Sequence, residues 1–199
     1  MKETRLTLLP DGRFAGLLPG LHDRLASAAA SITPENFGSL LDETMRQVIR
    51  IAFKSAEADE GTVWLADQAA QRIAPVYNTG PYAARFIGNF EQRLGTGLLG
   101  MVLANERPFL ENHVQQNAQR DTSLDTLLGV RTCALIAVPF YFQEACRGVI
   151  SCVQLTEPGL AEPPARGFDE AHEAAIWHAS ATLGRLVDDR LLRAVLGLS

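Results

Sequence analysis

Two runs in the C-terminal half, TCALIAVPF (132–140) and RGVISCVQL (147–155), constrain the fold more than any other feature. Their nearly continuous apolar character reads as strands covered on both faces. The short connection between them suits a hairpin, which places an antiparallel pair at the centre of a sheet. Downstream, Asp169 stands as a cap before Ala171, Ala175, Ala179, Leu183, Leu186, Val187 and Leu191, which recur at helical spacing. That helix would run about 27 residues, against a mean of about 11–12 for globular helices. A long amphipathic terminal helix needs a cover, here the first helix, a partner subunit, or both.

The upstream elements fit the same plan. Thr33 followed by Pro34 reads as a cap with proline at the first helical position. Phe37, Leu40, Leu41, Met45, Val48, Ile49 and Ala52 then give one apolar helical face to about Ala56. After Gly61 the period changes. TVWLA (62–66) and RIAPVY (72–77) read as an antiparallel strand pair, and residues 78–107 as turns and short helices. PFLE (108–111) is an edge strand that Pro108 can begin. The polar stretch 112–129 is a long connection with a helical turn or two, and connections this long are uncommon unless functional. EPGLAEPPARG (157–167) is a proline-rich loop before the last helix. Residues 1–33 form an N-terminal extension whose segment LHDRLASAAAS suits a short helix, and 34–196 form one domain. The initiating Met and that extension favour an intact N-terminus. The fold class is α+β: a central antiparallel sheet of five or six strands, with long terminal helices on one face and short helices and loops over a pocket on the other.

Composition narrows the function. A net charge of −5 without a basic cluster argues against nucleic acid as the main partner. ALIAVPF, the longest apolar run, is too short to span a bilayer, and MKETRLTLLPDGRF holds no signal-peptide core, so a cytoplasmic protein is expected. Three cysteines without C-x-x-C spacing fit a reducing compartment.

Several motifs look chemical and fail on context. GTGLLG (95–100) matches the dinucleotide pattern G-x-G-x-x-G, but GNFEQRL before it is not a buried parallel strand. Asp121, near the position of the ribose-binding acid, lies in a loop. A tight turn feeding a helix, Leu98 to Asn105, accounts for the glycines. His172-Glu173 begins the zinc pattern H-E-x-x-H, yet position 176 is Ile and His178 falls on another helix face. Cys133 and Cys152 sit in strands as small apolar residues, whereas Cys146 beside Arg147 is expected to be exposed with a lowered thiol pKa. No nucleophile elbow, P-loop or Ser/His/Asp set is present, so nucleophilic and phosphoryl-transfer catalysis lack support. His113 is the histidine placed where a pocket lid would be.

Taken in order, these pieces resemble a GAF domain, a small-ligand sensory module, from about Asn36 to Leu192. EGTVWLAD and APVYNTG resemble its first two strands, and LGTGLLGMVLANERPFLEN its glycine turn, helix and third strand. GVRTCALIAVPF, RGVISCVQL and FDEAHEAAI are similar to its fourth strand, fifth strand and last helix. The resemblance implies an antiparallel sheet of about six strands, terminal helices that pair in a homodimer, and a ligand pocket on the opposite face. Ligands across that family include cyclic nucleotides, bilins, haem, amino acids and small metabolites. The candidate ligand contacts implied by the cyclic-nucleotide members are Thr62, Tyr77, Asn78, Leu98, Leu99, Asp121, Thr132 and Ser151. An aromatic to stack and hydroxyls to orient make sense of such a set. Tyr82, Phe86 and His113 are added from the segments that would cover the pocket; Tyr82, Phe86 and Phe109 all pointing inward would leave no cavity.

Departures narrow the ligand. The N-K-F-D-E signature of the cyclic-GMP members is broken: Gln154-Leu155 replace Asn-Lys, Ala165 replaces Phe, and only Asp169-Glu170 remain. No cysteine adjoins a histidine, as bilin attachment commonly requires. The free methionine sulfoxide reductases within the family carry cysteines near the glycine turn and lid, where this chain has none before Cys133. The expectation is a non-enzymatic sensory or regulatory module for signal transduction. It would bind a small molecule under a 78–131 lid and couple it to dimer-helix packing, with a signalling partner protein and an unknown cofactor. The alternative is a ligand-free dimerisation or interaction module.

Overall fold

The computed structural model describes residues 12–156 and 166–198. Most of the proline-rich loop, and Ala165 with it, lies outside them. The helices are α1 (Leu18–Ala30), α2 (Pro34–Phe37), α3 (Glu43–Ser55), α4 (Ala83–Phe86), α5 (Gly97–Asn105), α6 (Ser123–Leu128) and α7 (Glu170–Leu196). The strands are β1 (Glu60–Asp67), β2 (Arg72–Asn78), β3 (Gln92–Arg93), β4 (Phe109–Glu111), β5 (Arg131–Phe142) and β6 (Ala145–Thr156). They form one six-stranded sheet in the order β3-β2-β1-β6-β5-β4, with every neighbouring pair antiparallel. This is the expected α+β architecture, with β1 and β6 at the centre of the sheet and β5 beside β6.

The sheet separates two apolar clusters because strand side chains alternate between faces. On one face Val63, Leu65, Ile136, Val138, Phe140, Ile150 and Cys152 pack against α3 and α7. Phe37 joins them from α2, edge-on to Phe140 with ring centroids 6.0 Å apart. Fully burying an aromatic or aliphatic side chain of this kind contributes about 1.5–3 kcal/mol. The seat of α7 on β5 is close: a Cβ at Gly184 would lie 2.1 Å from the Tyr141 carbonyl oxygen. Four residues earlier, the Ser180 hydroxyl donates to the Pro139 carbonyl at 2.9 Å. From the N-terminal segment, Leu25, Ala28, Ala29 and Ile32 reach the same cluster. On the other face Trp64, Ile73, Phe86, Leu98, Val102, Leu128, Leu135 and Val149 form a second cluster.

Two elements differ from the sequence reading. The helix expected from Phe37 to Ala56 is two helices. Thr33 and Asn36 cap each other around α2, which ends at Phe37, and the chain restarts with Asp42 accepting the Met45 N–H at 2.9 Å. The central strands also run past their apolar stretches, so the hairpin turn is only Gln143-Glu144, both at positive φ (50° and 59°). Such a turn matches the right-handed twist of the paired strands, although Asn-Gly is the usual sequence. Asp188 of α7 holds this turn, its Oδ1 accepting from the Gln143 backbone N–H at 2.8 Å and side-chain amide at 3.0 Å. Among the described residues no helix is long and apolar enough to cross a membrane.

Candidate functional site

On β1 the alternation directs Glu60, Thr62 and Trp64 away from the helices, while Val63 and Leu65 face them. On β6 Ser151, Val153 and Leu155 share that outer face. The register sets Thr62 directly opposite Ser151 and Glu60 opposite Val153. A break in the β5–β6 register between Thr132 and Ala134 accompanies Thr132's place on the cavity side, whereas Ala134 joins the helix-side core. Together they floor a cavity of about 100 Å³. Leu98 and Leu99 of α5, Leu124, Asp125 and Leu128 of α6, and Arg120 and Asp121 of the preceding loop roof it.

The two floor hydroxyls are held from the side. Asn78 Nδ2 donates to Thr62 Oγ1 at 2.9 Å, and Trp64 Nε1 donates to Ser151 Oγ at 2.9 Å. A hydroxyl that accepts one bond keeps its own proton and a second lone pair, so both groups remain able to engage a ligand. Thr62 and Ser151 are nearly inaccessible, at 6% and 4% exposure.

The roof is tied to the sheet. Asp125 accepts from the Thr132 backbone N–H at 2.8 Å and from its hydroxyl at 2.7 Å. Gln115 donates to the Thr132 carbonyl at 2.6 Å, and Arg120 donates to Gln115 in turn. The glycine turn closes the far wall. Gly97 lies at φ +64°, and a Cβ there would meet the Gln92 amide at 2.6 Å and Asp121 Cβ at 3.1 Å. At Gly100 a Cβ would lie 2.8 Å from the Gly95 backbone, so the helix can fold back on its own turn only with glycine there. The G-x-G-x-x-G pattern therefore serves packing around this cavity.

Of the expected contact residues, Thr62, Leu98, Leu99, Asp121, Thr132 and Ser151 line the cavity. Tyr77 does not: paired with Val63, it packs in the helix-side core, 5.6 Å under the Arg46 guanidinium. Asn78 stands behind Thr62 as its hydrogen-bond donor. Tyr82 is exposed and stacks with Arg85, and Phe86 is buried against Trp64 at 6.5 Å. His113 is exposed, with its backbone N–H bonded to Glu111. Phe86 and Phe109 pack into the outer-face cluster without filling the cavity. The lining residues missed from sequence include Glu60, Gln92, Arg120 and Asp125.

Electrostatics centre on Glu60. The residue is only 6% exposed, and burial pushes its carboxyl pKa up from the ordinary value, with the negative charges of Asp59 and Asp125 adding to the effect. The expectation for Cys146 is reversed: the half-buried thiol is pushed up by desolvation, and Arg147 lies over the Phe142 ring at 5.2 Å instead. Burial pushes the Cys152 thiol up to about 12. No cysteine lines the cavity. Gln154 accepts the Gly167 N–H at 2.9 Å, and Leu155 forms part of the cavity wall.

Residues 38–188 match the family model described as GAF domain. No protein of curated function matches the sequence. Among solved structures, the GAF domain from a phosphoenolpyruvate-protein phosphotransferase of Coxiella burnetii is similar at 16% identity and TM-score 0.61, covering 91% of this chain and 96% of that one. Free methionine-R-sulfoxide reductase from Neisseria meningitidis, in complex with its substrate, is similar at 16% identity and TM-score 0.52, covering 98% and 99%. NreA of Staphylococcus aureus, mutated in its nitrate binding site, is similar at 18% identity and TM-score 0.52, covering 70% and 99%. At these identities the likeness establishes a shared fold alone.

Proposed function

The chain belongs to the GAF domain family, and we propose that it is a non-enzymatic sensory or regulatory module of the cytoplasm. In this reading it binds a small molecule in the cavity beneath residues 78–131 and couples binding to the packing of its long helices. One observation carries the proposal: the cavity floor presents two buried hydroxyls, each fixed by a neighbouring donor, under a roof tied to β5. Concave sites with a few oriented polar groups among apolar walls are the usual form of a small-molecule site. Neighbours described with a nitrate binding site and with a bound substrate support a ligand-centred reading. The reductase-like reading is disfavoured because no thiol reaches the cavity.

The mechanism is differential affinity for two arrangements. β1 and β6 carry Thr62 and Ser151 on one face and Val63, Ile150 and Cys152 on the other, against the helices. A ligand that favours one spacing of these strands favours one seat of α7, and through it one geometry of a homodimer read by a signalling partner.

Native mass spectrometry of the protein purified from cells tests this. A stoichiometric small molecule, released on denaturation, supports the sensor. An empty protein whose melting temperature answers to no metabolite in a panel sinks it. That outcome would favour the second reading, a ligand-free interaction module. Ile51, Trp177 and Leu196, exposed at 55%, 37% and 52% on α3 and α7, speak for that one.

A further inference from the structure

Glu60 is 94% buried by its 6% exposure, lines the cavity, and receives no side-chain hydrogen bond from the described residues; its Oε2 is fully enclosed without a partner. A buried carboxylate left unpaired is rare and costly, because water has been removed and nothing replaces it. The local backbone does not satisfy it. The nearby Gly80 N–H is committed to Asn78 Oδ1 at 2.6 Å. Gly80 instead makes room: a Cβ there would lie 1.5 Å from Glu60 Oε2. The charged groups around the cavity are Glu60, Asp121 and Asp125 against Arg120. An anion would meet three carboxylates for one guanidinium. A metal ion is not served either, since no three His, Cys, Asp or Glu side chains among the described residues are grouped to hold one.

We propose that the cavity takes a compact nitrogen cation, a primary ammonium or amidinium group, with the Glu60 carboxylate as its counter-ion. Thr62 and Ser151 each retain a lone pair that can accept a further N–H, and they sit two positions and one strand away on the same face. Leu98, Leu124, Leu135 and Val153 enclose the ligand's short carbon part. The inference rests on the sensor reading above and names its ligand class.

The test is thermal shift and calorimetric titration of the full chain with acetamidinium chloride and methylammonium chloride, against sodium acetate and potassium nitrate at equal ionic strength. The cations should raise the melting temperature of the wild type, and Glu60→Gln should weaken their affinity about ten-fold or more, as loss of a charge-assisted bond requires. In the unmutated chain the response should weaken as pH falls and Glu60 takes up a proton, with Asp59, Asp125, Asp121 and Arg120 the charges around it. Stabilisation by acetate or nitrate but not by the cations would overturn the charge assignment and leave the sensor standing. So would an anionic or neutral metabolite found in the native mass spectrum. An undiminished response in Glu60→Gln would overturn the role of Glu60. Silence from every probe together with an empty native spectrum would overturn both.

Discussion

Thr62 holds its hydroxyl at the cavity floor because Asn78 reaches across from β2 to bond it, while the same Asn78 amide accepts the Gly80 N–H. Asn78→Ala strips both bonds inside a buried region and should cost about 1–3 kcal/mol. The urea midpoint should fall at unchanged slope, as for a pure stability change; an unmoved midpoint would mean water replaces the amide. Glu60 works in the opposite direction. With its folded pKa raised, the folded state holds a proton that the unfolded chain has released, so stability is lost as pH rises through the folded value. Glu60→Gln in the empty protein should therefore be more stable than wild type at about pH 8, by on the order of 1 kcal/mol, with the gap closing as pH falls toward the ordinary carboxylate range. Denaturant titrations at the two pH values check this, and a gap that widens in acid would contradict it. Thr62 and Ser151 were legible in the sequence because family pattern and strand alternation agree on them. Glu60 begins EGTVWLAD, the stretch matched to the first strand, and was missed because the family pattern singles out only the hydroxyl of Thr62 there; strand alternation places Glu60 on the same face. Tyr77 was misplaced because the β1–β2 register shifts between Val63 and Trp64, with Val76 the extra residue on β2, which puts Tyr77 opposite Val63 among the helix-side residues. Gln92, Arg120 and Asp125 arrive through a two-residue strand, a loop and a short helix, where no period exists to read.

The long elements were the legible ones. α7 spans Glu170–Leu196 and is capped by Asp169, whose Oδ1 accepts the His172 N–H at 3.0 Å, as its spacing indicated. The break between α2 and α3 escaped because Leu40 and Leu41 keep the helical period across it, while the Asp42 cap decides the restart through hydrogen bonds that a hydrophobic pattern does not record. The β5–β6 turn was hidden for a related reason: Gln143-Glu144 lacks the Asn or Gly that marks a two-residue hairpin. It is held by Asp188 through Gln143, whereas Glu144 is exposed and makes no such bond. Glu144 thus occupies the left-handed region at a cost of about 1 kcal/mol that glycine would not incur. Glu144→Gly should raise the melting temperature by about 2–4 °C for a chain of this size, read by scanning calorimetry. A lower melting temperature would show that the glutamate contributes something beyond closing the turn.

At the scale of the molecule, the sheet is a single layer with the cavity on one side and α3 and α7 on the other, so any signal has only the strands to cross. Its outward helix surfaces keep Ile51 and Trp177 in solvent although the interior of the same helices is well packed. Exposed large apolar side chains on helices that already have a full inner face are what a helix-mediated dimer would use. Sedimentation velocity at concentrations on the order of 100 µM should show a dimer for the wild type and a monomer for Trp177→Glu or Ile51→Glu, since a buried unpaired carboxylate at an interface is strongly unfavourable. These surface substitutions should leave the fold intact and cavity binding by the isolated subunit measurable. If ligand affinity differs between dimer and monomer, linkage requires the ligand to shift the dimer equilibrium by the same factor, and the two measurements check each other. Equal affinity in both forms would detach the cavity from the helices and confine the ligand's effect to the roof. A wild type that stays monomeric would leave α3 and α7 as the face presented to a different protein.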